Sequence, residues 1–307
     1  MHSSSVQPHN DPPCGKLAGK IAMLIGQQGY RELDVPGLTI YRYTAPTEAI
    51  SSNYQPSMTL VAKGKKQASL GHTTFIYDRS HFLLTSLEMP VTSRVIEASI
   101  DRPYLCVRLA FDMGMVRELL ARDGSAPAPR GDSGLAMTTG QTTRQLTDAF
   151  VRLLDLQDAP GDIPFLGDLL GREIVYRVLQ STEGKRLRGI ATLGEHSHRT
   201  AAVVAWINEN YAKPLRLEEL AGVAAMGQST LHRHFRALTA MTPLQYQKRL
   251  RLQAARMLML MDGLDAASAA FEVGYESASQ FNREYSRFFG RSPLRDVKAL
   301  RAQAAAN

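Results

Sequence analysis

Between residues 30 and 111 apolar and polar positions alternate in short runs, and after residue 111 the apolar positions recur every three or four residues. The first period is that of strands and the second that of helices. The runs "GLTIYRYTA", "MTLVAKG", "KQASLGHTTFIYD", "HFLLTS", "PVTSRVIEA" and "YLCVRLAFD" are rich in β-branched and aromatic residues. Gly, Pro, Asp or Asn part them, as turns require. Many short strands at close spacing predict a small barrel or sandwich. In "YLCVRLAF", Leu105, Val107 and Leu109 share one face and Tyr104, Cys106 and Arg108 the other. "AKGKKQ" at 62–67 reads as a hairpin turn with a basic tip.

Beyond the strands, "MGMVRELLARDG" predicts a helix ending near Gly124, and "SAPAPRGDSG" a loop. "TTRQLTDAFVRLLDLQD" carries a helical stripe at Leu146, Phe150, Leu153 and Leu154, which Pro160 and Gly161 interrupt. "IPFLGDLLGREIVYRVLQS" resumes it with Leu166, Leu169, Leu170, Ile174, Val175 and Val178. These two helices, at 139–158 and 163–181, either cover the barrel or pair with a second copy of the chain. Three glycines and mixed charge in "TEGKRLRGIATLGEHSHR" place a boundary at 182–199. The expected organisation is a loose polar tail at 1–19, a barrel with helices at 20–181, a linker at 182–199 and a helical domain at 200–307.

That last domain repeats itself. "LRLEELAGVAAMGQSTLHRHFRALTAMTPLQY" from 215 and "LDAASAAFEVGYESASQFNREYSRFFGRSPLRD" from 264 each hold a short apolar helix, a turn with Gly and a second helix. Both have helix-turn-helix form. In the first, Leu217, Leu220 and Ala221 build the scaffold helix. The second helix, 228–238, buries Leu231, Phe235 and Leu238 and exposes Ser229, His232, Arg233 and Arg236. In the second unit, 266–271 form the scaffold and Ser277 is the expected N-cap. Its second helix buries Phe281, Tyr285 and Phe288 and exposes Ser279, Gln280, Asn282, Arg283 and Arg287. Between the units, "PLQYQKRLRLQAARMLMLM" at 243–261 predicts one helix with Pro243 at its start. Its inner stripe is Leu244, Leu252, Ala255, Leu258 and Met259; Lys248, Arg249, Arg251 and Arg256 supply charge.

Charge gives the repeated units a meaning. Residues 199–307 hold 15 Lys/Arg against 9 Asp/Glu, a net +6 of the chain's +7. A basic C-terminal domain behind a near-neutral one points to a polyanion met by one half only. A 19-residue helix spans roughly 28 Å at 1.5 Å per residue. One turn of B-DNA advances about 34 Å, so such a rod can hold two recognition helices in successive major grooves on one DNA face. Arg can donate to guanine, and Gln or Asn can pair with adenine. Ser229, His232, Arg233, Ser279, Gln280, Asn282 and Arg283 are therefore the base-reading candidates, and Arg236, Lys248, Arg249 and Arg287 the phosphate candidates.

"GYESASQFNREYSRFFGRSPLRDVK" resembles the signature of the AraC/XylS family of bacterial transcription regulators, through Gly274, Tyr275, Phe281, Phe288 or Phe289, Gly290 and Pro293. It reads "FNRE" at the signature's Phe-x-Arg, and Tyr285 stands where the next Phe would be. "LHRHFRALTAMTPLQYQKRLRLQAARMLML" is similar to the family's first unit and linker helix, and 37–112 is similar, more loosely, to one subclass of its regulatory domain. The resemblance implies an α+β chain: a small cupin-like β-barrel plus helices for effector binding and dimerisation, then an all-α DNA-binding domain. By position, the seven base-reading candidates match the family's groove-facing sites. The resemblance also implies RNA polymerase as a partner and a leaning to activation; a homodimer and a small effector or reactive compound of unknown identity are further expectations for the N-terminal domain.

Other chemistry has less support in the sequence. A cupin-like enzyme or metal-binding barrel needs an H-x-H cluster with a Glu, which residues 30–111 lack; His72 and His81 stand alone. "HSH" at 196–198 has no acid partner at ligand spacing. No G-x-S-x-G, H-E-x-x-H or phosphate-cradling loop occurs, so no catalytic residue, cofactor or metal is expected. A helical module that binds proteins is the remaining alternative, and its affinity would not depend on salt as DNA binding does. Two distant cysteines, Cys14 and Cys106, suit a reducing cytoplasm. Cys106 near Arg108 is a candidate sensor thiol, because a neighbouring cation lowers a thiol pKa. No apolar run is long enough for a membrane helix and no export signal opens the chain.

Overall fold

The computed structural model describes residues 12–123 and 134–305. Residues 1–11, most of the expected loop at 125–134 and the Cys14 side chain lie outside the described residues. In chain order the elements are α1 (Pro12–Ile25), β1 (Tyr30–Glu32), β2 (Leu38–Tyr43), β3 (Ile50–Tyr54), β4 (Ser57–Lys63), β5 (Lys65–Leu70), β6 (Thr73–Asp78), β7 (His81–Thr85), β8 (Met89–Glu97) and β9 (Tyr104–Ala110). Then come α2 (Met113–Asp123), β10 (Met137–Gln141), α3 (Arg144–Asp155), α4 (Ile163–Leu179), α5 (Gly184–Ala191) and α6 (His196–Asn210). The chain continues as α7 (Leu217–Ala224), α8 (Gln228–Thr239), α9 (Pro243–Met261), α10 (Ala266–Glu272), α11 (Ala278–Phe289) and α12 (Pro293–Ala305).

The strands form one antiparallel sheet in the order β1-β2-β9-β4-β7-β6-β5-β8-β3, with β10 paired to β7. It curls into a half-barrel whose two end strands, β1 and β3, are separate edges. Alternation along β9 sets its two faces. Leu105, Val107 and Leu109 pack outward in a core shared with α1, α3 and α4, while Tyr104 and Cys106 point into a second core. "AKGKKQ" is not a hairpin: β4 pairs with β9 and β7, and β5 with β6 and β8. Gly64 makes that transfer between strands at φ +77°, where a Cβ would stand 2.5 Å from the Glu97 carbonyl oxygen.

Helices occupy part of the expected tail and of the expected linker. Residues 12–19 belong to α1, whose Leu17, Ala18, Ile21 and Ile25 are buried against the sheet, so apolar spacing outweighs the Pro-rich start. At 182–199, Leu187, Ile190 and Ala191 are buried along α5, a stripe masked by the glycines around it, and α6 begins at His196. Among the described residues no helix is long and apolar enough to cross a membrane.

The second core runs without a break from the inner face of the curled sheet (Ala68, Leu70, Leu83, Met89) into α6, α7 and α8 (Val203, Ile207, Leu220, Leu231, Phe235). Tyr246 of α9 donates its hydroxyl to the Glu88 carbonyl oxygen at 2.6 Å, and the Ala136 amide donates to the Leu238 carbonyl oxygen at 2.8 Å. The second helix-turn-helix unit keeps its own core of Leu252, Ala255, Met259, Val273, Phe281 and Tyr285.

Candidate nucleic-acid interface and inner cavity

The first unit turns from α7 to α8 through Ala225, whose φ of +48° closes the scaffold helix. α8 buries Leu231, Phe235 and Leu238 and leaves Ser229, His232, Arg233 and Arg236 exposed. In the scaffold helix Leu220 and Ala224 are the buried pair; Leu217, expected inside, is 43% exposed because it opens the helix away from the core. The second unit repeats the plan. The Asp265 side chain caps α10 by accepting from the Ala267 and Ser268 amides, and Ser277 caps α11 by accepting from the Gln280 amide. α11 buries Phe281 and Tyr285 and leaves Ser279, Gln280, Asn282, Arg283 and Arg287 exposed. All seven base-reading candidates therefore lie on the open faces of two equivalent helices.

α9 joins the units and begins on a capping box made by Thr242 and Gln245, with Pro243 in the first turn. Leu252, Ala255 and Met259 face inward as expected, but Leu244 is 61% exposed. Its basic residues divide by role. Arg251 donates to the carbonyl oxygens of Tyr211, Ala212, Lys213 and Gly274, tying the α6–α7 connection to the α10–α11 turn. Arg256 forms a two-pronged ion pair with Asp296 of α12 at 2.8 and 2.9 Å. The phosphate candidate Lys248 is 2.9 Å from Glu284, and Arg249 is half-buried over the Phe288 ring. Burial works against the Glu284 charge, but bonds from Lys248, Tyr275 and Gln280 outweigh it and hold the carboxyl below its ordinary range. Arg236 and Arg287 remain exposed.

The histidines of "HSH" are occupied: His196 stacks on His234 at 4.4 Å, and the His198 ring is 3.0 Å from the Ile190 carbonyl oxygen. His81 stands 3.3 Å from Asp78. Among the described residues no three His, Cys, Asp or Glu side chains stand close enough to hold a metal.

Inside the curled sheet lies a cavity of about 250 Å³, lined by Tyr41, Tyr43, Tyr54, Tyr77, Lys66 and Arg108 among others. Burial would lower the Lys66 pKa, but Tyr54, Cys106 and Tyr43 outweigh it and the ammonium stays above its ordinary range. Sequence reasoning passed over Lys66, although it shares strand parity with the buried Ala68 and Leu70. Cys106 also lines this cavity, fully buried. Burial raises its thiol pKa more than Lys66, Tyr104 and Arg108 lower it, which counts against the sensor role.

Comparison with known proteins places this architecture. Residues 34–186 match the model of the AraC-type transcriptional regulator N-terminus, and 220–298 that of a helix-turn-helix domain. The HTH-type transcriptional activator RhaS of Escherichia coli is 26% identical over 160 residues, covering 52% of this chain and 54% of RhaS. The chain thus spans about half the length of the curated relatives it matches. The structure of ToxT from Vibrio cholerae with an unsaturated fatty acid bound is similar in fold, with a TM-score of 0.54 at 10% identity over 85% of this chain and 94% of ToxT. Both halves of the chain and their order agree: it belongs to the AraC family of transcriptional regulators, with a helix-turn-helix DNA-binding domain behind an AraC-type regulatory domain.

Proposed function

We propose that this chain is a cytoplasmic, effector-controlled transcriptional activator, and not an enzyme, that reads two successive major grooves with α8 and α11. One observation carries the reading: two copies of one motif expose equivalent polar faces and share a single continuous helix. Ser229, His232 and Arg233 contact bases in one groove, and Ser279, Gln280, Asn282 and Arg283 in the next. Arg236 and Arg287 contact phosphates; Lys248 and Arg249 join them only by leaving Glu284 and Phe288. Activation follows the Escherichia coli relative, itself an activator, and RNA polymerase is the partner it acts on. The effector occupies the inner cavity and shifts the population of DNA-competent chains by binding them unequally.

Arg283→Ala is expected to narrow the genomic footprint and relax sequence preference at one position, at about 1–3 kcal/mol of discrimination. Genome-wide footprinting beside the wild type checks it; an unchanged footprint and preference remove the site assignment. Loss of affinity should also be steep in salt, which a protein-binding helical module would not show.

A homodimer is part of the reading, and the two candidate helices separate. α3 has spent its stripe in the core, with Leu146, Phe150, Leu153 and Leu154 buried. α4 keeps Phe165, Leu166 and Leu169 at 77%, 41% and 60% exposure, an apolar face suited to a second copy. Leu169→Glu is expected to weaken self-association by at least about tenfold in sedimentation equilibrium; unchanged association would exclude α4.

A further inference from the structure

The inner cavity has an unusual charge inventory. Two cations, Lys66 and Arg108, line it, and no aspartate or glutamate does. Neither cation is paired with a carboxylate among the described residues. Lys66 lies over the Tyr54 ring at 6.0 Å and Arg108 over the Tyr41 ring at 5.6 Å. Among the described residues the Arg108 guanidinium reaches only the Thr39 hydroxyl, at 3.4 Å, and its Nε is buried without a partner. Both cations are half-buried; charge drawn out of water without a counter-charge is costly, and a fold tolerates it where a ligand supplies the missing partner.

From this we infer that the cavity binds a small organic anion with an aromatic body, its carboxylate or equivalent group held between Lys66 and Arg108 and its ring among Tyr41, Tyr43, Tyr54 and Tyr77. The volume, about 250 Å³, lies just below the usual range of small-molecule pockets and suits a small ligand. The tyrosine rings supply flat apolar walls with hydroxyls at their rims. Charge-assisted bonds from Lys66 and Arg108 supply orientation and most of the selectivity against neutral isosteres. The inference rests on the reading of the curled sheet as the effector domain, and it names the class of effector.

A matched set of probes tests it on the full chain: 3-phenylpropionate, 3-phenylpropionamide and 3-phenylpropylamine, nearly equal in shape and different in charge, titrated by calorimetry at constant ionic strength. The acid is expected to bind at least about tenfold more tightly than the amide, and the amine not at all. Lys66→Met and Arg108→Met are each expected to weaken the acid by at least about tenfold. Lys66→Met should leave the melting temperature unchanged or raised, because it removes a half-buried charge that no carboxylate partners; a purely structural lysine would lower it. Equal affinity for acid and amide, acid binding that survives both substitutions, or no binding of any probe at millimolar concentration overturns the inference. Acid binding with unchanged DNA affinity keeps the anion site and removes the effector role instead.

Discussion

Asp296→Ala is expected to cost about 3–5 kcal/mol, the range for breaking a buried ion pair from one side. Asp296 and Arg256 have side chains only 6% and 11% exposed. The carboxylate accepts two bonds from Arg256 and a third, at 2.7 Å, from the Tyr285 hydroxyl. The Phe289 ring centroid lies 4.3 Å from the guanidinium carbon. Removing the carboxylate therefore strands a buried cation and a buried hydroxyl together, in the core that positions α11. Arg256→Met added to Asp296→Ala should recover most of the loss, since the stranded charge goes with it. Urea unfolding followed by circular dichroism reads both. A loss below about 1 kcal/mol, the value for exposed pairs, would show that the pair is not buried as described.

The second large effect is expected at Gly274. Its φ is +88°, and a Cβ there would stand 1.9 Å from the Ala212 carbonyl oxygen. That oxygen and the Gly274 carbonyl are two of the four that Arg251 gathers. The backbone of the α10–α11 turn thus lies directly on the α6–α7 connection, with no room for a methyl group. Gly274→Ala must push the two units apart and loosen the Arg251 clamp. A cost of about 2–4 kcal/mol is expected, together with at least about tenfold weaker DNA binding as α11 leaves its place relative to α8. Gly263→Ala is the control: φ is +72°, nothing stands within 4 Å, and α9 ends before it. It should cost about 1 kcal/mol of backbone strain and leave DNA affinity unchanged. Equal DNA affinities for the two variants, measured by fluorescence anisotropy, would show that the Gly274 contact does not fix the units.

Much of this arrangement was legible in the sequence because it is local. Leu231 and Phe235, and Phe281 and Tyr285, lie four apart on their helices, so one face of each must be inside and the polar face out. Pro243 and Ser277 announced two helix starts through the chemistry of their own first turns. Alternation along β9 gave its two faces for the same reason. What stayed hidden depends on partners distant in the chain. Arg251 and Arg256 read as surface charge on α9 until the carbonyls of 211–213 and the Asp296 carboxylate were placed beside them. Lys66 read as a turn residue because β4 and β5 are consecutive, although they do not pair. The helical character of 12–25 and 184–191 was obscured by Pro and Gly, residues that punctuate structure on average but yield where a buried stripe lies between them. β10, with Met137 as its one large apolar residue, gave too little alternation to register.

Hydroxyl-radical footprinting on an operator selected from random duplexes tests the central claim most directly. Two protected patches on one face of the DNA, about 10–10.5 base pairs apart centre to centre, are expected for each chain, with Arg233→Ala clearing one and Arg283→Ala the other. A single patch, or two on opposite faces, would contradict the account.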